Sequence, residues 1–151
     1  MTNLYDEVVE ALNKVFEVIP DGVELSKGGL GELALAHHLG HTLVEGDKGA
    51  DAMDADGLLY EYKVSTTDQY NFSAGGRSGD WEKDKETIEK HFYDIEGTWI
   101  ASREGMKITD CTYVSSEVLV PVLVEHFERT NGRILNKNFR MKAFKELSND
   151  V

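Results

Sequence analysis

The run from Gly49 to Ser65, GADAMDADGLLYEYKVS, narrows the folds open to this chain more than any other stretch. Two short runs of strand character, Ala50–Asp54 and Leu58–Val64, flank a turn with Asp56-Gly57 at its tip, a pair that tolerates the left-handed backbone of a tight hairpin. Side chains alternate faces along a strand, so Glu61 and Lys63 point one way and Tyr60, Tyr62 and Val64 the other. The second set predicts a buried strand. A carboxylate and an ammonium are thereby held side by side on one face of a sheet.

The turn decides which aspartate joins them. With a three-residue loop, Ala55-Asp56-Gly57, and Gly57 left-handed, Asp54 pairs with Leu58 and Asp51 lies opposite Glu61. With a loop of Asp56-Gly57 alone the register slips by one residue, and Asp54 becomes the nearer partner of Glu61. Both registers are open from the residues alone. Either way, two carboxylates beside a lysine suit a hard divalent cation such as Mg²⁺, which takes oxygen ligands, keeps several waters and is usually held by one or two carboxylates with phosphate oxygens. The lysine can orient water or offset charge building on a phosphate. The plain alternative is a solvated acidic hairpin with an ion pair, and the buried aspect of Tyr60, Tyr62 and Val64 weighs against it.

Phosphate chemistry sits awkwardly with a net charge of −12, because polyanion binding calls for basic surface. The charge is uneven, however. The segment from His126 to Val151 holds six Lys or Arg against three Asp or Glu, a local +3, which leaves −15 for residues 1–125. Its Arg129, Arg133, Lys137, Arg140, Lys142 and Lys145 are the candidate phosphate-facing surface. Cys111, alone in the chain, excludes an internal disulfide framework, and there is no CxxC or Cys/His cluster to hold zinc. His37, His38 and His41 lack a fourth ligand and read as surface or packing histidines. No signal-peptide pattern and no apolar run of membrane-spanning length occur, which predicts a cytoplasmic protein with no membrane partner. The 151 residues, 40% hydrophobic with two prolines, predict one ordered domain spanning 1–151.

Along the chain, Leu4, Val8, Leu12, Val15, Phe16 and Ile19 recur at helical spacing and predict an amphipathic helix over Asn3–Ile19, ended by Pro20-Asp21-Gly22. Such a stripe ordinarily packs into the protein's own core. A second helix is expected over Leu30–Leu39, opened by Ser26 and closed by Gly40. Ser65–Gly79, STTDQYNFSAGGRSG, reads as a polar, glycine-rich loop in which Ser65, Thr66, Gln69, Asn71 and Arg77 can read base edges or grip phosphates. Asp80 caps a helix over Trp81–Tyr93 with Glu82, Lys83, Lys85 and Glu86 facing solvent. Thr98–Arg103 and Met106–Tyr113 predict a second hairpin around Glu104-Gly105. Ser115 or Ser116 then opens a helix through Pro121 that Asn131-Gly132 stops. The basic remainder, ILNKNFRMKAFKEL, predicts a strand or short helix that packs one side and offers the other.

Asp51, followed after a short hairpin by Glu61-Tyr62-Lys63, resembles the PD-(D/E)xK nuclease signature, with Ala50 standing where that name has proline. The wider run is similar to the catalytic hairpin of the small PvuII-type restriction endonucleases. Similar order continues from Gly28-Gly29 to Trp99-Ile100-Ala101, about residues 27–115, with a further echo near Asn136–Phe144. The resemblance favours Asp51 over Asp54. It implies an α/β, restriction-endonuclease-like fold, a mixed central β-sheet flanked by α-helices. It also implies Mg²⁺-dependent cleavage of double-stranded DNA by a homodimer, with one or two ions per site and Mn²⁺ able to substitute, in a bacterial, archaeal or phage-encoded setting. Asp51 and Glu61 would hold metal, Glu32 would add a helix-borne carboxylate, and Lys63 would position water. Asn136, Lys137 and Asn138 fall where the family contacts DNA, and Arg133, Arg140 and Lys142 would add phosphate contacts. For the first helix it raises a second destination, packing against its twin.

Two other readings compete. A homing or structure-selective nuclease, such as a junction resolvase, can share the same core. A catalytically idle acidic interaction module is the rival from another class, and a chain that keeps Asp51, Glu61 and Lys63 together argues against it.

Overall fold

The computed structural model describes residues 3–19, 29–44, 49–73 and 77–149. The expected features at Pro20-Asp21-Gly22 and Ser26 lie outside these. Among the described residues the chain is a mixed α/β protein. Its helices are α1 (Leu4–Val18), α2 (Gly29–Leu39), α3 (Trp81–Tyr93), α4 (Ser116–Glu128) and α5 (Met141–Asn149). Its strands are β1 (Thr42–Leu43), β2 (Ala52–Met53), β3 (Leu59–Ser65), β4 (Tyr70–Ser73), β5 (Gly97–Glu104), β6 (Lys107–Ser115) and β7 (Asn136–Phe139).

Five strands form one sheet in the order β1-β2-β3-β5-β6. Its neighbours are antiparallel except β3 and β5, which run parallel from Tyr60–Gly97 to Ser65–Ser102. A parallel pair cannot be joined by a tight turn, and α3 lies in the crossover. Asp80 starts that helix by accepting hydrogen bonds from the Glu82 and Lys83 amides, 3.1 and 3.5 Å. Trp81, Asp84, Ile88 and Phe92 then face inward at helical spacing. Trp81, Ile88 and Phe92 join a core with Ile100, Val114, Leu119, Leu123, Phe127 and Phe144. The opposite face of the sheet packs Leu35 and Ala36 of α2 against Ala52, Tyr62 and Ala101. Both faces of the sheet are thus covered.

The two hairpins differ from their expected limits in opposite directions. The predicted strand Ala50–Asp54 shrinks to Ala52–Met53, paired only with Tyr60 and Leu59. The second hairpin lengthens to Gly97–Glu104 and Lys107–Ser115, and it turns at Gly105-Met106, one residue later than expected. In β3 only Tyr62 is buried, while Tyr60 and Val64 are half-buried.

Ser65–Gly79 is not a loop throughout. Tyr70–Ser73 is a strand, β4, paired antiparallel with β7 from Tyr70–Phe139 to Ser73–Asn136. The cause is a period of two, with Tyr70 and Phe72 buried and Asn71 and Ser73 exposed. The basic remainder resolves into β7 followed by α5.

The apolar stripe of α1 does not enter the core. The helix forms as expected, with Asn3 Oδ1 accepting from the Tyr5 amide at 3.1 Å, yet none of its residues is buried. Leu4 is 75% and Phe16 62% exposed. No helix among the described residues is long and apolar enough to cross a membrane.

Candidate active site

The hairpin turn settles which aspartate faces Glu61. Gly57 is left-handed at φ 85°, its amide donates to the Asp54 carbonyl, and the Asp54 amide donates to the Leu58 carbonyl at 3.0 Å. This is the three-residue loop, and Asp51 therefore lies across from Glu61. The Asp54 carboxylate is used within the turn. Oδ1 accepts from the Asp56 and Leu58 amides, and Oδ2 from the Tyr60 hydroxyl at 2.8 Å. That tyrosyl bond, then the two amides, hold the Asp54 carboxyl below its ordinary pKa.

Past Tyr60 the strands part. Asp51 still donates its amide to the Tyr60 carbonyl, but its Oδ2 turns to accept the Tyr62 amide at 2.8 Å. The stretch of β3 that carries Glu61 and Lys63 keeps β5 on one side and, on the other, the Asp51 carboxylate in place of a strand. Glu61 Oε1 stands 3.1 Å from Lys63 Nζ, both side chains being largely covered. The Lys63 ammonium lies 5.5 Å from the centre of the Phe72 ring, so β4 supports it from behind.

Glu32 comes to the same place from α2. Glycines cost helix propensity, and Gly31 is nevertheless there because a Cβ would stand 3.0 Å from Val64 Cβ and 3.3 Å from Arg103 Nε. The close packing of α2 on β3 carries the next residue over the hairpin. Burial, then the charges of Asp51 and Glu61, push the Glu32 carboxyl up to about 7, with Lys63 opposing. Burial, then Glu61, raises Asp51 to about 6 against the Tyr62 amide and Lys63. Three carboxylates thus share a poorly solvated place with one nearby ammonium.

The donor types are those a divalent cation takes. All the oxygens are hard, and two carboxylates have pKa values raised by burial and then by neighbouring negative charge, the second of which added positive charge would relieve. Among the described residues no group of three or more His, Cys, Asp or Glu side chains is placed to hold a metal ion by itself. An open arrangement of this kind suits Mg²⁺, which completes its shell with water and phosphate oxygens. The histidines in and just after α2 behave as packing and surface groups. His37 and His38 are exposed, and His41 Nδ1 meets the Tyr62 hydroxyl at 2.7 Å while its ring stacks on Tyr60.

The expected DNA-contacting residues come together only in part. On the exposed face of the β4–β7 ribbon Asn71 pairs with Asn138 and Ser73 with Asn136. Arg77 joins them at a cleft of about 340 Å³ lined by Ser73, Arg77, Ile134, Leu135 and Asn136. Lys137 does not share that face. It pairs with Phe72, and its ammonium sits 4.8 Å from the centre of the Phe139 ring. Ser65 is committed to the bend after β3, its Oγ accepting the Thr67 amide at 3.0 Å, whereas Thr66 and Gln69 are exposed. Arg133, Arg140 and Lys142 are exposed and make no ion pair among the described residues. Arg129 and Lys145 are engaged, with Glu125 at 3.5 Å and Asp110 at 2.7 Å.

Two residues at the site were not legible in the sequence. His91, on α3, puts Nε2 3.9 Å from Glu61 Oε2. Thr98, the register partner of Glu61 on β5, is fully buried with its hydroxyl unpartnered. No family model matches the chain, and no curated protein is significantly similar to it.

Proposed function

We propose that this protein is a Mg²⁺-dependent endonuclease of the restriction-endonuclease-like kind that cuts double-stranded DNA. The observation that carries the proposal is the parting of β2 from β3 at Asp51, which leaves two carboxylates facing a lysine 3.1 Å from one of them. The resemblance of Asp51…Glu61-Tyr62-Lys63 to the PD-(D/E)xK signature and the mixed sheet around a parallel β3–β5 pair support the same reading.

Asp51 and Glu61 would hold Mg²⁺, or Mn²⁺ in its stead, with Glu32 adding a carboxylate. The bound ion would lower the pKa of water and neutralise charge on the phosphate. Lys63 would steer the attacking water, its ammonium held in place by Glu61 and the Phe72 ring. The ribbon supplies the reader. The major groove admits a two-stranded β-ribbon, and Asn71 and Asn138 present amides that can pair with an adenine edge. Arg77, Arg133, Arg140 and Lys142 would engage phosphates and offset the −12 net charge locally. A second copy of this chain is the partner we assign to α1, whose exposed apolar face, Leu4, Val8, Leu12 and Phe16, suits a self-complementary dimer.

The test is incubation of supercoiled plasmid with purified protein and Mg²⁺, then with chelator. Discrete linear fragments that chelator abolishes are expected. Cutting of branched DNA alone would move the protein to the junction resolvases. Intact plasmid and intact branched DNA under all divalent ions would leave an idle binding module.

A further inference from the structure

Ile134 has no part in the reading so far, although it lines the cleft at the end of the β4–β7 ribbon. It is 51% exposed, an aliphatic side chain set beside Ser73, Arg77 and Asn136. A lone exposed aliphatic on a convex surface needs no explanation. One placed in a concave cleft, among a hydroxyl, a guanidinium and an amide, is arranged as ligand sites are, with an apolar wall and a few convergent polar groups.

The backbone fixes this exposure. The chain leaves α4 through a turn in which the Gly132 amide donates to the Phe127 carbonyl at 3.0 Å and the Thr130 hydroxyl donates to the same carbonyl at 3.2 Å. That hydroxyl in turn accepts the Ile134 amide at 3.0 Å. Phe127 is fully buried, and so is Leu135, the residue after Ile134. Ile134 is therefore held between a turn tied to the core and a side chain packed in the core. Two residues on, Asn136 pairs with Ser73 at the end of the ribbon. An aliphatic and an amide thus stand together there.

One kind of base pair offers partners to both in the major groove. Adenine shows the N7 acceptor and N6 donor that an asparagine amide matches with its two atoms, and the paired thymine adds a C5-methyl group. A G·C pair carries no methyl there. We propose that this end of the ribbon reads one A·T pair, with Asn136 on the adenine edge and Ile134 packed against the methyl of the paired thymine. The proposal rests on the reading of the protein as a DNA-cutting enzyme, because it takes the ribbon as the part that enters the groove.

The experiment is a methyl scan of bound DNA. Duplexes are selected from a randomised pool by the wild-type protein in Ca²⁺, so that binding is read without cutting. In the best-bound duplex each thymine is then replaced singly by deoxyuridine, which removes the methyl group and nothing else. Affinities are measured for wild type, Ile134→Val and Ile134→Ala, with circular dichroism confirming that each is folded. At one thymine, or at a pair related by the symmetry of a dimer, deoxyuridine is expected to weaken wild-type binding about fourfold, the worth of one buried methyl group. Ile134→Val should keep most of that loss and Ile134→Ala none of it. The wild-type scan stands by itself should Ile134→Ala not fold. Selected duplexes in which no thymine methyl matters, or equal losses in wild type and Ile134→Ala, would overturn the proposal and leave the nuclease reading standing. Failure of the wild type to bind any duplex would overturn both.

Discussion

The two hairpins of the central sheet are built from similar chemistry and come to opposite ends. In β5–β6 the pairing runs without a break from Gly97–Ser115 to Ser102–Asp110, shifts once, and closes at Glu104–Lys107. In β2–β3 it stops after Tyr60, and a side-chain carboxylate takes the next amide. The β5–β6 hairpin spends its backbone groups on each other and supports the core through Ile100 and Val114. The β2–β3 hairpin leaves an opening in which Asp51, Glu61 and Glu32 crowd together. Like charges in a poorly solvated place destabilise the fold. A sheet can carry such a place because its neighbouring hairpin is complete.

This contrast can be broken from either side. The largest effect is expected at Lys63. Lys63→Ala should lower cleavage by about 10³-fold, ~4 kcal/mol of barrier, while DNA binding survives or tightens. Single-turnover rates alongside binding isotherms check this, and equal loss of both would make Lys63 a phosphate anchor. From the other hairpin, Val114→Ala should cost about 2 kcal/mol of folding stability in denaturant unfolding and leave the rate per folded molecule unchanged.

A smaller effect belongs to the ribbon. Asn138→Ala should narrow discrimination among duplex sequences by about 1–3 kcal/mol, read from cleavage of a randomised duplex pool. Asn71→Ala should act on the same base pair, since the two residues are opposite in register.

A pH dependence belongs to the open hairpin together with α2. Glu32 and Asp51 have folded-state pKa values of about 7 and about 6, above their ordinary ones of 4.5 and 3.8. As pH rises between these values the unfolded chain sheds its protons first, so stability is greatest in acid and falls until the pH passes the folded values. The metal-free melting temperature should therefore drop between about pH 4 and pH 7, and saturating Mg²⁺ should flatten that slope. A metal-free melting temperature that climbs over this range would mean that the carboxylates are not crowded.

The sequence placed the turn at Asp56-Gly57 but left its register open; Gly57 in the left-handed region and Asp54 receiving the turn amides decide it only in three dimensions. It made α3 readable through Asp80. It left β4 hidden, because four residues of alternation are a short signal inside a polar, glycine-rich run, and the partner strand lies far along the chain. Glu32 could be suspected from its helix alone, but its closeness depends on Gly31 packing against Val64, a contact no periodicity encodes. The destination of α1 was misjudged for a related reason. An amphipathic stripe specifies that something must cover it and does not say whose surface does so.

The central claim is that the parted strand makes Asp51 a ligand while Asp54 only closes a turn, and paired amide substitutions test it most directly. Asp51→Asn and Asp54→Asn would be compared for Mg²⁺-dependent plasmid cleavage, with circular dichroism confirming that both remain folded. Asp51→Asn is expected to be folded and inert. Asp54→Asn is expected to cut at near the wild-type rate, because its side-chain oxygen can still accept the turn amides. An active Asp51→Asn beside an inert Asp54→Asn would contradict the account.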